Sequence, residues 1–284
     1  MPKWLSRLVP VIAAGSLFAA PLAMRAQTTR TLQQNQTTTP SKKKVALKDT
    51  RATHATLELE PKAIQVLKTT GDRLVAAHTI SFVAVETFES LSRQGAPLVM
   101  ANRFEVTLRR PNKLKVVLSG DGPASEFYYD GKVMMAYAPA ENTVAVMDAP
   151  PTIDAALEAV FHKAAVYFPF TDLIVADPYG DLAPTLKHAY YVGQSQVVGD
   201  TSTDIVAFAG NDLFAQMWVG MHDNLPRAIH AIYLNDPEEL RHNLLLSEWQ
   251  IDKPVSDDFF RSSKAAGAKR MDFEPPSTAD TTPV

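Results

Sequence analysis

The stretch FYYDGKVMMAYAPAENTVAVMDAP, Phe127 to Pro150, reads as three short strands joined by two turns. Asp130-Gly131 is a two-residue hairpin signal, because glycine accepts the positive φ of a tight primed turn. Pro139-Ala140-Glu141-Asn142 supplies the second turn. Successive side chains of a strand point to opposite faces, so Val133, Met135 and Tyr137 oppose Lys132, Met134 and Ala136. A sheet with one wet face alternates apolar with polar. Here both faces carry apolar groups, so something must cover the second one: protein, or an apolar ligand.

The flanks extend the pattern. Thr79–Ser90 is rich in β-branched and aromatic residues. In Asn102–Arg110, Phe104, Val106 and Leu108 face one way and Arg103, Glu105, Thr107 and Arg109 the other. Pro111-Asn112 turns the chain, and Lys113–Gly120 returns with Leu114, Val116 and Leu118 inward. On the C-terminal side, AYYVGQSQVV, TDIVAFAG, LFAQMWVG, PRAIHAIYL and LRHNLLLSEWQI are separated by Gly, Asn and Asp clusters. About eleven strands at hairpin spacing imply one large antiparallel sheet, which at that size curls or splits. The helical signals are few. Pro61 suits the first position of a helix carrying Ile64, Leu67, Leu74 and Ala77, which Gly71 weakens by about 1 kcal/mol. Thr152 caps a second helix with the stripe Ile153, Ala156, Leu157, Val160, Phe161 and Ala164. Shorter helices are expected near Pro169 and after Asp177-Pro178. The expected fold is α+β: an unclosed half-barrel whose apolar concave side is covered by the helices. Neither half has enough helices to cover a sheet of its own, so one domain is expected.

The 284-residue chain is not expected to fold throughout. Lys3, Arg7 and the apolar run Leu8–Ala23 read as a cleaved secretory signal over residues 1–26, cut after Ala23 or Ala26. The run is too short and too broken by proline for a spanning helix of roughly 20 residues. Residues 27–56 are rich in Thr, Gln and Lys and read as a disordered tether. Residues 57–273, about 215 in all, suit one domain, and 274–284 form a flexible tail. Cysteine is absent, so the core must hold an exported protein without disulfides. No acyl-cysteine anchor is possible, which points to a soluble periplasmic protein. A net charge of -3 gives no reason to expect nucleic-acid binding.

Motifs for chemistry are missing. The seven histidines form no H-x-H pair and no H-E-x-x-H set, and without cysteine the thiolate zinc sites are excluded. His230 and His242 could meet across the sheet, although exposed strand positions are the simpler reading. GQSQV (Gly193–Val197) lacks the second glycine of a nucleophile elbow. SGDGPAS makes a turn and is no dinucleotide fingerprint. Asp172 and Asp177 are explained as helix-start residues and Asp181 as solvent-facing. No metal, cofactor or catalytic set is expected. What remains is soft apolar material on the strands and the second helix: Phe82, Phe104, Val106, Met135, Tyr137, Leu157, Phe161, Phe208, Met217 and Trp218. Methionine is common at adaptable apolar surfaces, and these ten are the candidate lining of an apolar cavity. A chain of roughly a dozen methylenes carries on the order of 10 kcal/mol of burial free energy.

Several segments in order, FYYDGK, AYAPAENTVAVMDAPPTIDAALEAV, FPFTDLIVADPYGDL, YYVGQSQVVGD and PRAIHAIYLND, resemble a bacterial family of predicted periplasmic proteins, domain of unknown function 2092. The likeness runs from about Glu60 to Phe273. That family is similar to the LolA and LolB lipoprotein carriers and, more distantly, to mycobacterial lipid carriers and the RseB stress sensor. The resemblance implies an unclosed β-barrel of about eleven strands with helices plugging the open side and an apolar cavity between them. It implies no catalytic set. Family members often carry Asp-Trp-Gln-x-Trp where this chain has Phe214-Ala215-Gln216-Met217-Trp218, so one aromatic position is altered. The expected function is non-catalytic, binding or carrying an acyl chain, a lipoprotein or another apolar ligand as a monomer. The alternative is a module for a periplasmic or membrane protein partner, such as a stress sensor without bound lipid.

Overall fold

The computed structural model describes residues 58–274. The leader, the tether and all but the first residue of the tail lie outside the described residues. The elements are α1 (Pro61–Ala76), β1 (Thr79–Leu91), β2 (Pro97–Arg109), β3 (Lys113–Gly120), β4 (Ser125–Tyr129), β5 (Val133–Ala138), β6 (Thr143–Asp148), α2 (Ile153–Ala164), α3 (Thr171–Ile174), α4 (Pro178–Leu182), β7 (His188–Ser195), β8 (Thr203–Ala209), β9 (Leu213–Gly220), β10 (Pro226–Tyr233), β11 (Arg241–Ile251) and β12 (Lys269–Met271).

All twelve strands form one sheet in the order β12-β6-β5-β4-β3-β2-β1-β11-β10-β9-β8-β7. Each pairing is antiparallel except β12 with β6, which is parallel. The two ends do not pair, so the barrel is unclosed. The count of about eleven misses β12, because Lys269-Arg270-Met271 is exposed throughout and has no alternation to read. β1 and β2, 13 residues each, lie at the centre of the sheet.

The predicted helices form for the reasons given by their ends. Pro61 opens α1, where a missing N–H costs nothing. The Thr152 side chain accepts from the Ala155 N–H at 3.3 Å at the start of α2, and Asp177 accepts from Gly180 at 2.9 Å at the start of α4. Gly71 has a packing role that offsets its poor propensity. A Cβ there would lie 2.6 Å from the Cβ of Tyr179, so only glycine lets α4 approach α1 so closely.

Helices cover the concave face in two places. The buried stripe of α2, Ile153, Ala156, Leu157, Val160 and Ala164, packs on Ile80, Phe82, Phe104, Val106, Leu114, Val116, Phe127 and Met134. The first half of α1 packs Ala63, Val66 and Leu67 on Val206, Phe208, Ala215 and Met217 of β8 and β9. The same helix ends with Leu74 in the larger cluster.

The two-sided apolarity of Phe127–Pro150 has its answer on the other face. Met134 and Ala136 join the concave core, while Met135, Tyr137, Val144 and Val146 pack against Ala265 and Ala268. The chain after β11 runs back across the convex side as a strap. Phe260, fully buried, lies beside the Arg109 guanidinium at 5.6 Å from its ring centroid. Arg109 also donates to the Val255 carbonyl at 2.7 Å and pairs with Asp257. Arg261 pairs with Asp130 at 3.0 Å. The hairpin turn itself shifts by one residue from the expected pair. Gly131-Lys132 is its centre, with Gly131 at φ 88°, and the Asp130 side chain accepts from the Lys132 and Val133 amides at 2.9 Å each.

Phe260→Ala is expected to lower the unfolding free energy by roughly 3–5 kcal/mol, the usual cost of deleting a buried phenyl ring. Urea denaturation checks it; a loss below about 1 kcal/mol would mean that the strap does not hold the convex face.

Candidate functional site

The concave face is lined by rings, and two of them come from the segment joining α2 to α3. Ala165 ends α2 with a left-handed φ of 52°. That reversal sends Val166-Tyr167-Phe168-Pro169-Phe170 back over the sheet. Phe170, fully buried, meets Phe82 and Phe104 edge-on, each at 5.4 Å between centroids. Phe168 stacks on Phe170 at 5.6 Å and meets Phe127 edge-on at 5.6 Å. Trp249 completes the row, stacked on Phe82 at 4.6 Å. It faces inward because of a bulge. Between Ser81 and Val83 the register with β11 slips, and Glu248 takes φ 56°. A bulge adds a residue and switches which side chains face the core, so Trp249 turns in where alternation from Leu244 and Leu246 would have placed Glu248. The Trp249 Nε1 donates to the Pro226 carbonyl at 2.9 Å.

The excursion from Thr152 to Leu186 is held to the sheet by this apolar contact and by a few polar bonds. The Arg110 guanidinium donates to the Val175 carbonyl at 2.9 Å, and the Ile153 N–H to the Pro111 carbonyl at 2.9 Å. The Tyr129 hydroxyl donates to the Pro150 carbonyl at 2.7 Å. Within the excursion, Asp154 accepts from the Ala176 N–H at 3.0 Å.

One end of the concave face is polar. Glu86 lies on the inward side of β1, after Ile80, Phe82 and Ala84, and is only 6% exposed. Asn102, opposite it on β2, donates to its Oε2 at 3.2 Å. Tyr167 and Tyr233 lie side by side, and both feel the charges of Glu86 and Asp172. His242 meets Tyr233 edge-on at 5.2 Å and stacks with Phe88 at 6.3 Å. Burial pushes the Glu86 carboxyl up, and the Asn102 bond works against it. Burial likewise raises both phenols and lowers the His242 imidazole. The protein crowded around Asp172, and then the Asp181 carboxylate, push its carboxyl up to about 6. Its side chain still reaches solvent, which tempers that rise.

The ten sequence-selected residues do not form one set. Phe82, Phe104, Val106 and Leu157 share one buried cluster, with Phe82 and Phe104 against Phe170. Phe208 and Met217 lie under α1 in a separate cluster. Met135 and Tyr137 stand on the convex face under the strap, because the hairpin sends Met134 and Ala136 inward. Trp218 sits between Ile205 and Ala228 on the face opposite Met217. Phe161 is half-buried at the edge of α2. His230 and His242 do not meet. They point to opposite faces, His230 pairing with Asn243 at 2.5 Å. Phe168, Phe170, Glu86, Tyr167, Tyr233 and Trp249 escaped selection. Among the described residues, no group of three His, Asp or Glu is arranged to hold a metal ion.

Two shallow, solvent-open depressions flank the helices. One, of about 200 Å³, is lined by Lys62, Val66, Asp204 and Val219. The other, of about 230 Å³, is lined by Val75, Arg110, Ile153 and Asp154. Both are smaller than the roughly 300–1,000 Å³ usual for a small-molecule site, and neither is lined by the aromatic row.

Residues 63–274 match a family described as "Predicted periplasmic protein (DUF2092)". Among solved structures, the chain is similar to a DUF1329 family protein from Desulfovibrio piger, with 14% identity over 71% of this chain and 97% of that one, at a TM-score of 0.35. It is similar to the Pseudomonas aeruginosa MucA/MucB complex structure, with 16% identity over 72% of this chain and 62% of that one, at a TM-score of 0.40. It is also similar to a LolA superfamily protein from Nitrosomonas europaea, with 10% identity over 70% of this chain and 97% of that one, at a TM-score of 0.29. No curated protein matches the chain. No helix among the described residues is long and apolar enough to cross a membrane.

A carboxyl whose pKa is raised by folding makes the folded state hold more protons than the unfolded one between the two pKa values, so stability falls as pH rises through that window. For Glu86 the window opens near its ordinary value of 4.5. Glu86→Gln keeps an acceptor for Asn102 without the charge. In urea it is expected to be more stable than the parent protein at pH 7 and nearly equal to it at pH 4. Equal gains at both pH values, or a loss at pH 7, would contradict a charge buried at this position.

Proposed function

The chain belongs to the DUF2092 family of predicted periplasmic proteins, and from that premise we propose that it is a non-catalytic carrier of an acyl chain, a lipoprotein's lipid or a similar apolar ligand. The ligand replaces Phe168 and Phe170 on the concave face. The observation that carries the reading is the position of these two rings. They cover the inward rings Phe82, Phe104 and Phe127, yet they belong to a connecting segment and not to a strand. Exchanging one apolar occupant for another leaves the hydrophobic burial of Phe82, Phe104 and Phe127 intact. The net free-energy change of swapping plug for ligand is therefore small compared with opening an empty groove. Movement of α2 and the segment behind it gates this face.

A second reading, a protein-interaction module, rests on the β1–β2 hairpin. Pairing with β3 starts only at Asn102, and Ala101 is bonded to Asp121, so Pro97–Met100 overhang β3. Leu98 and Val99 there are 39% and 66% exposed. An overhanging strand with unpaired backbone groups is suited to accept a strand from a partner. Photo-crosslinking from Val99 in the periplasm, giving one defined adduct in protein free of lipid, would favour this reading over the carrier.

Titration of a fluorescent fatty acid into the exported protein tests the carrier. Saturable uptake is expected. The Phe168→Ala, Phe170→Ala double variant is expected to bind about tenfold or more tightly, a gain of at least 1.4 kcal/mol, since no plug has to leave. No uptake by either protein would remove the carrier reading.

A further inference from the structure

The polar end of the concave face has a chemical bias. Glu86 is nearly buried, yet only one of its oxygens has a hydrogen bond, from Asn102. The other accepts none among the described residues. Neither Glu86 nor Asp172 is paired with a lysine or arginine there, and the influences on the two carboxyls are burial, Asn102 and Asp181. A buried carboxylate without a counter-charge is costly. Around it stand rings: Phe88, two residues along the same face; His242, stacked on Phe88; Tyr233, edge-on to His242; and Tyr167, beside Tyr233. Ring faces attract cations, and the carboxylates supply the full charge. An anionic head group would meet repulsion here, and an uncharged one would leave Glu86 unpaired.

We propose that this end of the face receives a cationic head group, an ammonium. Glu86 is its principal counter-charge, the rings of Phe88, Tyr167, Tyr233 and His242 form its walls, and the attached apolar chain lies along Phe82 and Phe104. The proposal rests on the carrier reading, and it names the class of ligand carried. The site lies at the mouth of the aromatic row, since Tyr167 precedes Phe168 by one residue. Displacing Phe168 and Phe170 therefore also moves one wall of the ammonium site, so head and tail are admitted together.

Isothermal titration at pH 7 with decylamine, decan-1-ol, decanoate and propylamine tests it, using the native protein and Glu86→Gln. Decylamine is expected to bind at least about tenfold more tightly than decan-1-ol, decanoate more weakly than either, and propylamine weakest of all. Glu86→Gln is expected to abolish the preference for the amine while decan-1-ol still binds. Binding of decan-1-ol itself shows that the variant is folded and that the apolar face works. Equal binding of amine and alcohol, or a preference that survives in Glu86→Gln, overturns the ammonium site and leaves the carrier standing. Propylamine binding as tightly as decylamine overturns the assignment to an amphiphile. No binding by any ten-carbon probe brings down both readings.

Discussion

The contact on which the rest depends is the insertion of Phe168 and Phe170 into the aromatic row of the sheet. Without those rings, Phe82, Phe104 and Phe127 would lose the aromatic part of their cover. Each edge-on aromatic pair adds roughly 0.5–1.5 kcal/mol beyond its burial. The insertion has local costs. Ala165 adopts a left-handed backbone that suits glycine better, at about 1–2 kcal/mol. Two large rings are delivered by a segment of five residues whose own backbone lies outside the sheet ladder. The contact is thus strong enough to persist and local enough to be reversed without disturbing a strand.

A different part of the chain secures the opposite face. The strap after β11 buries Phe260 against the outer sides of β2 and β3 and covers Tyr137 and Val144. Its ion pairs, such as Arg261 with Asp130, each leave one partner half exposed or more and add modestly by themselves. The ring and the small apolar residues fix it. The division has a functional consequence. The convex cover is continuous with the sheet edge through β12, whereas the part of the concave cover that carries α2, Phe168 and Phe170 hangs from the excursion between β6 and β7. On the carrier reading, the concave face opens while the convex face stays closed.

Much of the architecture could be read from residue spacing. Phe104, Val106 and Leu108, and Leu114, Val116 and Leu118, alternate as a sheet with one apolar core face requires, and they lie where alternation puts them. The caps Thr152 and Asp177 are visible as residue types. The concave site was less legible, for identifiable reasons. Alternation along β11 is broken by a bulge at Glu248, so Trp249 could not be placed inward from its spacing. Met135 and Tyr137 have the composition of cavity residues but belong to the convex face, because composition cannot say which of two apolar faces is concave. Phe168 and Phe170 lie outside any periodic element. Glu86 was within reach. It is the one acidic residue in the inward phase of Ile80, Phe82, Ala84 and Phe88, and a charge in a core phase marks a position under another constraint.

The central claim is that the excursion opens as a unit while the sheet stays folded, and native-state hydrogen exchange measures that directly. Amides of α2 and of Phe168–Ile174 should exchange through an opening that takes less free energy than global unfolding and hardly responds to low urea. Amides of β1 to β3 should exchange only on global unfolding. If the α2 amides and the strand amides share one opening free energy and one urea dependence, the excursion is a fixed part of the core and the account is wrong.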